Sequence, residues 1–115
     1  MSWTVRTGKY NARKTIVDGI TFDSRKEANY YCELKLLRRG GQVRSIECQV
    51  PFELVPGFRY KKKYIRPITY VADFRVEYSD GHVEIVDVKG YKTKEYLLKK
   101  KMLLYKYPEI DFREV

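Results

Sequence analysis

Ile68-Thr69-Tyr70-Val71-Ala72-Asp73-Phe74-Arg75-Val76-Glu77-Tyr78-Ser79-Asp80-Gly81-His82-Val83-Glu84-Ile85-Val86-Asp87-Val88-Lys89 carries two extended runs about one turn. In the first run Tyr70, Ala72, Phe74, Val76 and Tyr78 share one side. Thr69, Val71, Asp73, Arg75 and Glu77 share the other, because successive side chains of a strand point to opposite faces. The two runs predict a β-hairpin, and a slip of one residue in its register moves a whole set of side chains across the sheet. A two-residue loop at Asp80-Gly81 pairs Asp73 with Val88 and sends Asp87 and Lys89 to the opposite face. A three-residue loop over Ser79-Asp80-Gly81 places Gly81 at the left-handed position of a type I turn plus bulge, and Asp73 then pairs with Asp87. Phe74 opposes Val86 and Ala72 opposes Val88 in that register, which makes one face apolar and fit for a core. The other face collects Asp73, Asp87 and Lys89, so we expect the longer loop.

Two carboxylates with Cβ atoms about 5 Å apart repel each other unless a cation lies between them. Hard divalent ions with oxygen ligands suit such a pair, Mg²⁺ usually keeping several waters. Lys89, two residues beyond Asp87, is then near a metal-bound water or a phosphate. The chemistry implied is metal-assisted hydrolysis, with the ion polarising a phosphate and the Lys stabilising negative charge or orienting the nucleophile. On a merely solvated strand face the same three residues would carry no chemistry, and two Asp and a Lys on a hairpin are a common set.

Lys14-Thr15-Ile16-Val17 and Ile20-Thr21-Phe22 flank Asp18-Gly19, a pair that tolerates the positive φ angles of a tight hairpin. Ser24-Arg25-Lys26-Glu27 has the form of a capping box and opens a helix to about Arg39, where Gly40-Gly41 stops it. A strand is expected from about Cys48 to Val55, and Tyr60-Lys61-Lys62-Lys63 reads as a basic loop or strand end. Thr93 caps a second helix to about Lys106, with Leu97 and Leu104 on one apolar line and Leu98, Met102 and Tyr105 on the next. Ile110 and Phe112 alternate in a last strand. Strand, helix, strand in that order implies a crossover. The expected fold is therefore α/β, a mixed central sheet flanked by helices, in the order helix, three strands, helix, strand, after an amino-terminal hairpin. Residues 1–13, basic with Trp3 and Tyr10 interspersed, show no useful period and read as an arm; 14–115 read as one domain.

Lys and Arg outnumber Asp and Glu by 24 to 15, a formal charge of +9, which favours a polyanionic partner because phosphate contacts release condensed counterions. DNA contacts are expected from Arg6, Arg13 and Lys14 on or beside the arm, from Lys61, Lys62 and Lys63, and from Lys92, Lys94, Lys99 and Lys100. Trp3 and Tyr10 are available to stack on bases. The two cysteines, Cys32 and Cys48, have neither disulfide-framework density nor metal-ligand spacing and are expected to be reduced and packed. With His82 alone, nucleases that need two histidines are disfavoured, and no Walker loop is present. No apolar run of signal-peptide or membrane-spanning type occurs, so the expectation is a cytoplasmic protein, neither secreted nor membrane-bound.

Ala72-Asp73 followed after a turn by Asp87-Val88-Lys89 resembles the PD-(D/E)xK signature of the restriction-endonuclease-like nucleases, with Ala72 in place of the Pro, which is not a ligand. From Lys9 to Val115 the chain also resembles a family of small phage proteins. Tyr10-Asn11-Ala12, Asp18-Gly19-Ile20-Thr21-Phe22-Asp23-Ser24, Arg66-Pro67-Ile68-Thr69-Tyr70-Val71-Ala72-Asp73-Phe74 and Asp87-Val88-Lys89-Gly90 carry that match. The resemblance implies a restriction-endonuclease-like core and an endonuclease that cuts duplex or branched DNA, such as a Holliday junction, with Mg²⁺ or Mn²⁺. It would serve phage replication, recombination or packaging in the host cytoplasm, and a homodimer would supply paired cuts. It also implies a metal set of Asp73, Asp87, the Val88 backbone carbonyl and Glu27, with Gln49 in support. Glu27 stands in line with Tyr30, Tyr31 and Leu34, so its side chain is expected to point into the packed stripe of its helix, where it acts at the metal or as a cap. The competing reading is a nucleic-acid-binding module that kept this fold without catalysis.

Overall fold

The computed structural model describes residues 3–5 and 13–115, with side chains from residue 14 onward. It falls into two compact units, Met1–Ile46 with Glu77–His82, and Glu47–Val76 with Val83–Val115.

In the first unit β1 (Trp3–Val5), β2 (Arg13–Val17) and β3 (Ile20–Phe22) form an antiparallel sheet in that order. Val17 pairs with Ile20 across Asp18 and Gly19, whose φ angles of 54° and 75° are those the Asp-Gly turn requires. Trp3–Val5 pairs with Arg13, Lys14 and Thr15, so four residues of the arm, Trp3–Val5 and Arg13, are strand where the sequence shows no period. Partnering, not patterning, makes β1.

Helix α1 (Arg25–Arg39) begins at Ser24, whose extended backbone turns its Oγ to accept the Glu27 N–H at 3.1 Å. Its buried residues are Glu27, Ala28, Tyr31 and Leu34, and the Tyr31 ring lies 5.1 Å from that of Phe22. Replacing the cap by Ser24→Ala is expected to lower stability by about 1 kcal/mol, read from the urea midpoint. An unchanged midpoint would mean that the Glu27 N–H finds an equal partner without the hydroxyl.

The hairpin loop has the expected length. Tyr78 N–H donates to the His82 carbonyl at 2.8 Å, Gly81 N–H donates to the Tyr78 carbonyl at 2.9 Å, and Gly81 takes φ 93°.

The main sheet runs β4-β7-β8-β9, built from β4 (Val43–Val55), β7 (Ile68–Tyr78), β8 (Val83–Asp87) and β9 (Phe112–Glu114). β8 and β9 are parallel, pairing Ile85 with Phe112, Val86 with Arg113 and Asp87 with Glu114. Parallel neighbours need a long connection, and α2 (Lys94–Lys106), capped by the Thr93 hydroxyl on the Tyr96 N–H at 3.0 Å, supplies it. The fold is thus α/β with a mixed central sheet and two helices. β4 begins five residues earlier than the sequence suggests. Lys61 and Lys62, with φ of 47° and 68°, turn a small hairpin between β5 (Phe58–Tyr60) and β6 (Lys63–Ile65) where the sequence reads as a basic loop or strand end.

The core of the second unit centres on Leu54, Tyr70, Ala72, Ile85 and Leu103. Leu103 is the one residue of α2 that is fully buried; of the apolar lines expected for this helix Met102 packs against the core, whereas Leu97, Leu98, Leu104 and Tyr105 are exposed. The inward line is instead Tyr96, Lys100, Leu103 and Tyr107, at helical spacing. Lys and Tyr cover the core with their apolar bodies and keep a polar tip outside, which counting hydrophobic residues misses. The expectation that both thiols are packed fails for Cys32, which is exposed; Cys48 is half-buried.

Candidate functional site

Strand β7 presents Asp73 between the buried Ala72 and Phe74, and β8 ends on Asp87. Each carboxylate accepts a backbone N–H from the other segment: Asp73 N–H donates to Asp87 Oδ1 at 2.8 Å, and the N–H of Val88, next after Asp87, donates to Asp73 Oδ2 at 2.8 Å. Asp87 is fully buried, and its Oδ2 has no hydrogen-bond partner among the described residues. A buried carboxylate oxygen without a donor is costly unless something positive reaches it. Burial is the main force on the Asp87 carboxyl and lifts it above the usual carboxylate range; the Asp73 N–H and the Lys89 charge pull the other way, and Glu114 adds to the rise. This donor set, a desolvated oxygen beside a second carboxylate, fits a hard divalent cation.

Lys89 follows on the same chain, its N–H held by the Val115 carbonyl at 3.1 Å, and its ammonium lies 4.4 Å from the centre of the Tyr96 ring. Both residues line a cleft of about 340 Å³ with Thr69, Val71, Thr93 and Lys99. The arrangement can therefore hold a cation at the carboxylates and offer a positive charge two residues away.

Sequence reading missed Glu114 and Tyr96. Glu114, the strand partner of Asp87, accepts from the Tyr96 hydroxyl and pairs with Lys100 at 3.1 Å and Lys92 at 3.3 Å. The Tyr96 hydroxyl, Lys100 and Lys92 hold its carboxyl down to about 2, while burial and Glu114 push the Tyr96 phenol up. A strand after the crossover helix was the available signal, since in a parallel pair it must lie beside Asp87.

Residues 7–115 match the family described as a protein of unknown function, DUF1064. The chain belongs to the DUF1064 family. No curated protein matches it significantly, and neither does any solved structure. The family description assigns no chemistry, so the chemistry of this DUF1064 chain rests on its own residues.

Several of the cations expected on DNA are already engaged. Lys92 and Lys100 pair with Glu114, Lys99 with Glu95 at 3.3 Å, and Lys14 with Asp23 at 2.7 Å. Lys61, Lys62, Lys63 and Lys94 are exposed. Arg6 lies outside the described residues, as does the side chain of Arg13. Gln49 is exposed, at a left-handed backbone position of φ 56° inside β4. Glu27, 4% exposed on α1, belongs to the first unit and points inward as its spacing predicts. No helix among the described residues is long and apolar enough to cross a membrane.

A carboxyl held near 2 contributes stability that is fully present above its unfolded pKa of about 4.5 and is lost as the pH falls toward about 2. The DUF1064 chain should accordingly lose urea resistance between those pH values, and Glu114→Gln should flatten that acid limb. Identical limbs would remove Glu114 from the list of stabilising acids.

Proposed function

We propose that this chain is a divalent-metal-dependent endonuclease that hydrolyses phosphodiester bonds in duplex or branched DNA, on a core of the restriction-endonuclease-like type. The reading is carried by the buried Asp87 carboxylate, whose Oδ2 lacks a partner beside Asp73. Asp73 and Asp87, with the Val88 carbonyl, hold Mg²⁺ or Mn²⁺. The ion supplies Lewis acidity and a water of lowered pKa. Lys89 contributes a positive charge that stabilises the phosphate as its negative charge grows, or orients the attacking water. Oxygens already fixed by backbone N–H groups need little reorganisation to take up the ion, which is what a reaction site requires. The net charge of +9 supports a nucleic-acid substrate, and a homodimer would supply the two cuts of a junction.

The test is cleavage of supercoiled plasmid, linear duplex and a four-way junction by the full chain with Mg²⁺ or Mn²⁺. Cleavage that EDTA stops supports the reading. Tight DNA binding without cleavage under either metal would replace it with a nucleic-acid-binding module.

A further inference from the structure

We infer that Glu114 is a positioning residue for Lys89, acting through Tyr96: it fixes the phenol, and the phenol ring seats the ammonium. The inference rests on the nuclease reading only for its catalytic consequence.

A lysine has four rotatable side-chain bonds, and ordering it costs rotamer entropy. Lys89 stands two residues beyond the end of β8, and its side chain reaches the first turn of α2. The Tyr96 ring confines it there, because a cation 4.4 Å from a ring centre is within the attractive range of the ring face. The ring is held at both ends. Its backbone N–H is bound by the Thr93 hydroxyl, and its hydroxyl donates to Glu114.

Glu114 is itself held. It stands opposite Asp87 in the parallel ladder, where Val115 N–H donates to the Asp87 carbonyl at 2.9 Å, and Lys92 and Lys100 grip its other carboxylate oxygen. The contacts close a ring: Asp87 leads along its chain to Lys89, Lys89 rests on Tyr96, Tyr96 is tied to Glu114, and Glu114 returns to Asp87. A displacement of β9 or of the first turn of α2 is thereby passed to the ammonium. A bond that served only to dock α2 on β9 would need no ring beneath Lys89.

The experiment records the ε-methylene proton signals of Lys89 by NMR in the full chain. An ammonium over an aromatic face places these protons in the shielding region of the ring, so they are expected upfield of the other lysines. Tyr96→Leu should abolish the displacement, and Glu114→Gln should reduce it by half or more. Tyr96→Phe, which keeps the ring and loses the hydroxyl, should do the same as Glu114→Gln and stands in for it if that variant does not fold. In cleavage assays Glu114→Gln should lower kcat about tenfold with KM unchanged. A Lys89 signal that stays in place in a folded Glu114→Gln or Tyr96→Phe protein overturns the inference, whatever the cleavage result. An inactive wild type with the expected NMR pattern overturns the nuclease reading and leaves the positioning intact.

Discussion

Asp87→Asn is expected to lower metal-dependent DNA cleavage by about 10³-fold or more in kcat while leaving the chain folded. The substitution keeps the size of the side chain and an oxygen able to accept the Asp73 N–H, so the cross-strand bond at 2.8 Å can survive. What it removes is the charge at the oxygen that has no partner. Metal-derived charge stabilisation is worth several kcal/mol, and each 1.4 kcal/mol is tenfold in rate, which sets the scale. Lys89→Ala is expected to cost less, about 10²- to 10³-fold, because it removes one preorganised positive group and leaves the ion. Single-turnover rates at saturating DNA give both numbers. Activity of Asp87→Asn within a few-fold of wild type would place the reaction elsewhere in the molecule.

Thermal unfolding should reverse the order of the same two proteins according to the metal. In EDTA, Asp87→Asn should melt several degrees above wild type, since an uncompensated buried charge costs more than the buried neutral amide that replaces it and each kcal/mol moves Tm by about 4–8 °C in a domain near this size. Divalent metal at about 100 times its Kd adds roughly 2.7 kcal/mol to whatever binds it. Mg²⁺ or Mn²⁺ should thus raise wild type by about 10–20 °C and leave the variant where it was. The pH dependence has a definite sign. The Asp87 carboxyl is raised by burial, so its destabilisation is present when it is ionised, above its folded pKa, and fades as the pH falls through that value. The gap between variant and wild type in EDTA should narrow on acidification. Equal melting in EDTA together with equal metal response would show that Asp87 is not where the ion goes.

The hairpin was legible because two independent demands select one register. An apolar face needs Phe74 and Val86 together, and Gly81 is the residue that can take φ 93°. The first helix was legible for a similar reason, with a cap at Ser24 and a glycine pair at its end. Three features resisted. The Lys61-Lys62 turn uses residues that carry no turn signal, and its left-handed angles are imposed by the short strands on either side. The inward line of α2 is mostly Lys and Tyr, with Leu103 alone aliphatic, so a pattern of aliphatic residues marks the exposed side. Glu114 has no local signature, and its place beside Asp87 follows only once a parallel partner is known. Asp73, Asp87 and Lys89 could be grouped from sequence because a hairpin is local, whereas the residue that ties Tyr96 in place is 25 positions beyond Lys89.

Strand β4 is the outer member of the main sheet among the described residues, thirteen residues long. An edge of that length offers its unpaired amides to any other extended chain and is the usual starting point of aggregation. Two residues blunt it here. Pro51 is exposed and has no amide hydrogen to offer, and the left-handed backbone at Gln49 breaks the flat run two residues earlier. Glu47 and Glu53, both exposed, place like charges on either side of that break. Any self-association of this protein should therefore avoid strand-to-strand joining along β4, and the chain should stay dispersed at concentrations where a smooth edge would gather into fibres.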